Sequence, residues 1–510
     1  MRGLIHCLVA AVVAAGLLLP VAHVGAETAT LELKRVGTSA RPRSEDASAE
    51  QLFRMTRPQT VFEQLGGREG MIRGMEREGV PKFSDVIKKE PAEYAAENPF
   101  RGVVKLGSHH YGFVFDAAPP KEKEKEEPPA EKKEEKREGL FSALGKALTA
   151  PLTKKPESDS QVLSFTRLYF DLNRNGDLTD DGVIEAESAQ VYSPSASRAT
   201  FPMVEITLDV DGKKVDYAFT MSVQVNSSDN FAYAYAMLNA AAYREGEIDL
   251  DGQKRRVVLV DFNSNGRFDD AFHIDESEQS DSGPIYPEIG DMLYIDPQPA
   301  ARYRSPYDPT TSGDQYYVGK LIAYEGRFFE LRVDPSGEEL SMTPSSLAAG
   351  YAVNPNHGAR AIVYGEHGIL EIAFDDEGNA VLPEGVWRLL SYTLLHAEVD
   401  SQEAGLSPES SRPIGRPTMV SARAGRDVKA VRIADGKTTK MTFGPPFMPQ
   451  VDASPSHRGD GTLSLQMSLV GAGGEVCSSM IIDGRRPPQP EFTISTKDGE
   501  EVASGKFSYG

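Results

Sequence analysis

Along most of the chain apolar and polar residues alternate with a period of two, the pattern of strands with one buried face. Short β-branched and aromatic runs are separated by Asp-Gly or Glu-Gly pairs, as in EITLDVDGKKVDYAFTMSV, GEIDLDGQKRRVVLVD, KLIAYEGRFFELRV, RIADGKTTKMTF and FTISTKDGEEVASGKF. An Asp-Gly pair between alternating runs favours a type I′ hairpin, because both residues tolerate the positive φ it demands. RGVVKLGSHHYGFVFD predicts a further strand pair. In FAYAYAML, Phe231, Tyr233, Tyr235 and Met237 share one face with alanine on the other, a core or sheet surface. Residues 59–90 mix helix formers with Gly and Pro and predict two short helices. The expected fold class is all-β and multidomain, built of antiparallel sheets with a short helical N-terminal segment.

Breaks in this pattern divide the chain. Residues 1–26 carry one Arg, an apolar run from Leu4 to Leu19 and small residues at Val24 and Ala26, the pattern of a secretory signal peptide cut after Ala26, with an uncleaved N-terminal membrane anchor as the alternative. Residues 27–98 are expected as a polar arm followed by the short helices, and 99–295 as a β domain. That domain is interrupted at 117–160 by a charged spacer. Its segment 119–138 has seven positive and eight negative side chains and no aromatic or branched aliphatic residue, so it cannot bury a core. Because strand pattern resumes at SFTRLYFD, the spacer is expected between neighbouring strands of one sheet. Pro, Gly and Ser cluster at 296–314 and again at 401–417, bounding a second β domain at 315–400. Residues 418–510 suit a small immunoglobulin-like β-sandwich, with strands around Val428, Thr442, Leu465, Val476, Phe492 and Phe507.

Charge narrows the partners. Of 510 residues, Lys and Arg number 55 and Asp and Glu 76, a net charge of -21. Nucleic acid is disfavoured, because affinity for phosphate chains comes from clustered basic residues. An acidic chain attracts cations instead. Outside the leader no stretch approaches a bilayer span, so a secreted, periplasmic or cell-surface location is expected. With Cys7 in the leader, Cys477 stands alone as a buried thiol and no internal disulfide is expected.

Two segments share a spacing with chemical content. DLNRNGDLTDD places Asp171, Asn173, Asn175, Gly176, Asp177, Thr179, Asp180 and Asp181; DFNSNGRFDD places Asp261, Asn263, Asn265, Gly266, Arg267, Asp269 and Asp270. In both, side-chain oxygens fall at loop positions 1, 3 and 5, Gly at 6, and carboxylates return at 9 to 11. Calcium takes six to eight hard oxygens, and alternate residues of a tight loop point inward. At position 7, Asp177 or Arg267 would offer its backbone carbonyl, so Arg is no obstacle. Asn175-Gly176 and Asn265-Gly266 also suit plain hairpin turns, which explains Asn-Gly but not the preceding Asp-x-Asn or the trailing acidic pairs. Residues 171–182 carry four carboxylates and one Arg, net -3, and 261–272 three and one, net -2, so the first loop is expected to bind more tightly.

Both loops resemble the calcium loops of EF-hand, dockerin and thrombospondin type 3 proteins, over about a dozen residues each. They depart from the EF-hand at position 12, which is Gly182 or Phe272 where the EF-hand has a bidentate Glu, leaving Glu185 as a more distant substitute. They also follow strand patterns, TRLYF and RVVLV, where an EF-hand has a helix. The strings RGVVKLGSHHYGFVFD, RLYFDLNRNGDLTDD, RVVLVDFNSNGRFDD and LVGAGGEVCSSM resemble large secreted bacterial proteins, which implies an envelope or extracellular location.

Enzyme signatures are weak. His109 and His110 are strand neighbours and point to opposite faces. Asp281-Ser282-Gly283 matches the short aspartic-protease motif without a hydrophobic strand before it or a second copy. Trp387, the one tryptophan, reads as core. The expected function is a calcium-binding structural or adhesive protein of the cell envelope, with a cell-surface polymer or envelope proteins as partners. The alternative is a carbohydrate-active surface protein, a glycan-binding module or hydrolase, which would show an aromatic-lined cleft with two carboxylates.

Overall fold

The computed structural model describes residues 26–36, 56–66, 79–118, 164–193, 195–228, 231–274, 283–297, 313–356, 358–396, 418–455 and 462–509. Outside the described residues lie the leader up to Gly25, the spacer from Pro119 on, 298–312 of the first linker, all of 401–417, and Asp281-Ser282. The chain is all-β. Among the described residues its named strands pair antiparallel apart from Ala349–Val353 with Thr438–Lys440, and Lys89 and Asp177 form an isolated parallel bridge. Among the described residues no helix is long and apolar enough to cross a membrane.

The Asp-Gly and Glu-Gly pairs turn hairpins as predicted at three places. Val204–Val210 pairs with Lys213–Ser228, Ala242–Leu250 with Gln253–Val260, and Leu321–Tyr324 with Arg327–Val333. Both turn residues have positive φ in each: Asp211 and Gly212, Asp251 and Gly252, Glu325 and Gly326. Glu491–Ser495 and Glu501–Lys506 also pair, round a longer turn. At Asp435-Gly436 the flanking strands part, one to Gly385–His396 and the other to Ala349–Val353, so that turn joins two sheets.

Alternation places the core. In Val204–Val210 the residues Val204, Ile206, Leu208 and Val210 are buried and those between are not. The predicted pair Phe100–Leu106 and His109–Ala117 forms, and the latter pairs with Phe165–Phe170, so the spacer does leave and re-enter between neighbouring strands. Phe100, Phe113, Phe115, Phe165 and Phe170 pack ring on ring within the largest core cluster, where each fully buried ring contributes about 1.5–3 kcal/mol. In Phe231–Ala240 the buried face is the alanine face, with Ala234 and Ala236 in that core. Tyr233 and Tyr235 are half-buried on the other side, Tyr235 against Phe62.

Three expectations need correction. Of the predicted helical segment 67–78 lie outside the described residues; among the rest one turn, Phe83–Val86, is helical, but Gln59–Gly66 is a strand paired with Phe231–Ala240. Its Val61 and Leu65 alternate onto the core, and that pairing overrides a weak helical preference. The linkers do not separate sheets either. Met292–Ile295 pairs with Gln315–Tyr317 across 296–314, and Gly385–His396 pairs with Thr418–Arg423 across 401–417. The N-terminal arm is also built in, Glu27–Thr30 pairing with Glu339–Pro344 and Glu32–Arg35 with Ala242–Leu250. Most strands predicted for 418–510 form near their expected centres, but among the described residues Phe443 is the last buried apolar side chain.

Candidate functional site

Each Asp-x-Asn-x-Asn-Gly segment leaves the end of a strand, Phe165–Phe170 or Gln253–Val260, and winds into the same loop. Positive φ falls at position 4, Arg174 (58°) and Ser264 (59°), and at position 6, Gly176 and Gly266 (both 78°). A type I′ turn on Asn-Gly would need positive φ at Asn175 and Asn265, which they do not have. Nor do the loops close tight hairpins: Phe165–Phe170 meets its next strand only at Ile184–Glu185. The type I′ hairpin on Asn-Gly is therefore set aside, while Asx side chains do cap the loops' own backbone.

Most side-chain hydrogen bonds repeat by position; the exception is Asn173 Oδ1, which accepts from Asn175 N at 2.9 Å where Asn263 Oδ1 accepts no such bond. Asp171 accepts from the backbone N–H of Asn175 and Gly176, both at 3.0 Å, and Asp261 from Asn265 and Gly266 at 3.1 and 2.7 Å. Asn175 Oδ1 accepts from Asp177 N at 2.7 Å and Asn265 Oδ1 from Arg267 N at 2.8 Å. At position 10, Asp180 accepts from Asn173 Nδ2 and Asn175 Nδ2, at 3.4 and 2.6 Å. Asp270 accepts from Asn263 Nδ2 and Asn265 Nδ2, at 3.0 and 2.5 Å. Position 8 is a buried apolar anchor in both, Leu178 and Phe268, whose N–H groups bond to Lys89 O and Pro335 O.

Their surroundings differ. The first loop is backed by residues 82–90: Gly176 O accepts from Lys88 N and Lys89 N, and Lys89 Nζ donates to Asp177 at 2.6 Å and to Thr179 at 2.8 Å. That ammonium holds the Asp177 carboxyl down, to about 2. Asp181 is pushed up to about 6, first by burial and then by Asp171 and Asp180, and its buried Oδ2 has no hydrogen-bond donor among the described residues. Burial also raises Asp171. Glu185 pairs with Arg167 at 3.2 Å and stays exposed, so it does not serve the loop.

The second loop is deeper. Asp261 and Asp291 are fully buried, and Asp291 accepts from Phe262 N and Asp270 N at 3.0 and 2.9 Å. Burial raises both carboxyls, Asp261 to about 7, and each lies close enough to Asp270 to be raised further. Among the described residues Asn263 Oδ1, which is buried, has no donor. Arg267 is drawn outward by Asp269 and Asp211, at 2.9 Å each. Asp291 was missed from sequence; its one signal was a carboxylate beside Gly290 before the apolar run MLYI.

Every side chain turned into these loops is a hard oxygen donor or an amide, and two buried oxygens lack a proton donor. That donor set suits a divalent cation, and calcium would supply the positive charge that the grouped carboxylates lack. Among the described residues no three Asp, Glu, His or Cys side chains converge closely enough to hold a metal by themselves. A cation here would also need carboxamide and backbone oxygens, and would compete with the asparagine amides for Asp180 and Asp270.

The other candidates fall into place as structure. His109 lies 3.7 Å from Asp209 and His110 faces the other way, kept below its usual range mainly by burial. Trp387 is buried and donates to Pro383 O. Cys477 is half-buried, and burial raises its thiol pKa, the opposite of an activated nucleophile. In LVGAGGEVCSSM, buried Glu475 accepts from Tyr392 OH, Gly444 N and Gly473 N and fastens the glycine turn. Comparison of the chain with protein-family models, curated proteins and solved structures returns no match.

Proposed function

We propose that this is a secreted calcium-binding structural or adhesive protein of the cell envelope, in which calcium stiffens two strand-end loops. The observation that carries the reading is the duplication. Two loops at unrelated places in the sheets share their positive-φ positions, their Asp and Asn hydrogen bonds, their position-10 carboxylate and their position-8 anchor. The leader pattern, the lone Cys477 and the acidic balance support an extracellular setting, where a cell-surface polymer or an envelope protein is the partner.

Magnitude assigns the metal's role. Extracellular calcium modules bind with Kd of about 10⁻⁴ to 10⁻³ M. At millimolar calcium a site of Kd about 10⁻⁴ M stabilises the native state by about 1.4 kcal/mol, and two sites by about 3 kcal/mol. This is the scale of a staple. The test is a thermal melt of the chain from residue 27 in chelator and in millimolar calcium, beside Asp171→Ala and Asp261→Ala. A rise in Tm with calcium, reduced in each variant, is expected. An unchanged Tm in the parent chain would leave the loops as hydrogen-bonded turns and remove the reading.

A further inference from the structure

The sheet running Gln59–Gly66, Phe231–Ala240, Lys213–Ser228, Ala196–Thr200 and Ser188–Ser193 packs one face on the largest core, through Val61, Ala236, Val223 and Ala199. On the opposite face its registers line up one row of side chains across all five strands: Phe62, Tyr235, Gln224, Arg198 and Gln190. None of the five enters a core cluster. Phe62 is 40% exposed, and its ring lies 5.7 Å from that of Tyr235.

Arg198 carries the only charge in this row and in the rows on either side of it, although charged residues make up 26% of the chain. Among the described residues its guanidinium makes no ion pair and no hydrogen bond. A half-buried charge without a partner costs free energy, and a chain with 76 acidic side chains against 55 basic ones has carboxylates to spare. A carboxylate brought by a ligand would meet the outer nitrogens of Arg198, because Nε is closed to solvent. The net charge of -21 repels an anion at a distance, but at physiological salt that field decays within about 8 Å, so the local row decides contact. The rest of the row selects the kind of carboxylate. Gln224 and Gln190 lie directly opposite Arg198 on its two neighbouring strands and offer amide donors and acceptors, Gln224 spending one N–H on Asn226 at 3.4 Å. Tyr235 stands two strands from Arg198, about 10 Å away at 4.7–4.9 Å per strand. A ligand that spans this row needs a carboxylate at one end, hydroxyls in the middle and a C–H face for the rings at the other. A fatty acid would leave the amides without partners.

We propose that this sheet face binds a uronate-containing glycan, with a carboxylate on Arg198, hydroxyls on Gln224 and Gln190, and a sugar ring on Tyr235 and Phe62. The inference rests on the proposed function only for its cell-surface setting: it gives the polymer partner a chemistry and a place, and it needs no metal at either loop. The step is binding alone, with no bond made or broken.

The test is isothermal titration calorimetry on the chain from residue 27 in chelator. Trigalacturonate and a hyaluronan tetrasaccharide are the acidic probes, maltotriose the neutral sugar and triglutamate the carboxylate without a sugar. Gln190→Glu, at an exposed position directly opposite Arg198, supplies the missing carboxylate from the chain itself and closes the site without touching the core. Arg198→Gln removes the charge and keeps an amide. The expected result is that at least one acidic sugar binds about tenfold more tightly than maltotriose and triglutamate, and about tenfold more weakly in both variants. Binding of neither acidic sugar, equal binding of maltotriose or triglutamate, or binding undiminished in Gln190→Glu overturns the proposal. So does binding that appears only when calcium is added, since the sugar would then sit on the loops. The calcium reading is judged by melting and this one by titration in chelator, so either can fail without the other.

Discussion

The hydroxyl of Tyr217 donates to Asp261 at 2.6 Å, and both groups are buried. The strand Lys213–Ser228 thereby reaches under the second loop and holds its first carboxylate from the core side. Tyr217→Phe removes that donor and leaves the ring in place. Because the acceptor is a buried carboxyl, the expected cost is about 1–3 kcal/mol in urea unfolding, with an unchanged m-value. A loss below about 0.5 kcal/mol would mean that the bond contributes little net stability.

Asp261 and Asp291 give the second loop a pH signature. Both carboxyls hold their protons to higher pH in the folded chain than in the unfolded one, chiefly through burial. Between about pH 4 and 7 the native state binds more protons, so this contribution to stability is greatest at low pH and is lost as pH rises. Without calcium, Asp291→Asn should flatten the fall of stability across that window by up to about 1.4 kcal/mol per pH unit. Parallel stability–pH curves for parent and variant would refute this assignment.

The order of formal charge counted along the sequence is reversed by packing. Counted along the chain, the first loop is the more acidic, at -3 against -2. Folding brings Lys89 to the first loop, making its formal charge -2, and Asp291 to the second, making its formal charge -3 once a bound cation has displaced the protons of the buried carboxyls. The second site is therefore predicted to be the tighter one. Calorimetric titration of Asp171→Ala, which keeps the second loop, should give a lower calcium Kd than titration of Asp261→Ala. The opposite order would show that desolvating Asp261 and Asp291 outweighs the added charge.

The loops themselves were legible because their ligand-type residues are local in sequence, and so were the hairpins, whose turn residues declare their φ. What was hidden was everything set by distant pairing. Nothing near Gln59 signals that Phe231–Ala240 will claim it as a strand, and nothing at 401–417 signals that Gly385–His396 and Thr418–Arg423 lie side by side. Lys89 and Asp291 are separated from their loops by many residues, so no spacing rule reaches them. Leu178 and Phe268 were visible as apolar residues, but their common role emerges only once the loops are aligned on Gly176 and Gly266.

Glycine at position 6 can be tested against a glycine that has the same backbone and open space. Gly266 has φ 78°, and a Cβ there would come within 2.4 Å of Leu208 Cδ1 and 3.2 Å of Gly107 N. Gly212 has φ 88° and nothing within 4 Å. Gly212→Ala should cost about 1 kcal/mol, the strain of a left-handed alanine. Gly266→Ala adds overpacking and should cost about 2–4 kcal/mol in total. Equal losses at the two positions would mean that the second loop is not seated against Leu208.

Phe268 ties the second loop to the core most directly. Its ring is buried in the largest cluster, Arg244 lies over it at 5.7 Å, and Gly337 packs so closely that a Cβ would fall 2.7 Å from the ring. Leu178 plays the same part for the first loop, but in a small cluster with Ile87, Val114 and Tyr169. Phe268→Ala should therefore cost about 3–5 kcal/mol and Leu178→Ala about 2–4 kcal/mol. If calcium acts by fastening loop to sheet, it should recover less of the loss for Phe268→Ala than for Leu178→Ala, because the first anchor belongs to the main core and the second to its margin. Unfolding curves of both variants with and without calcium decide this, and equal recovery would place the metal's effect within each loop alone.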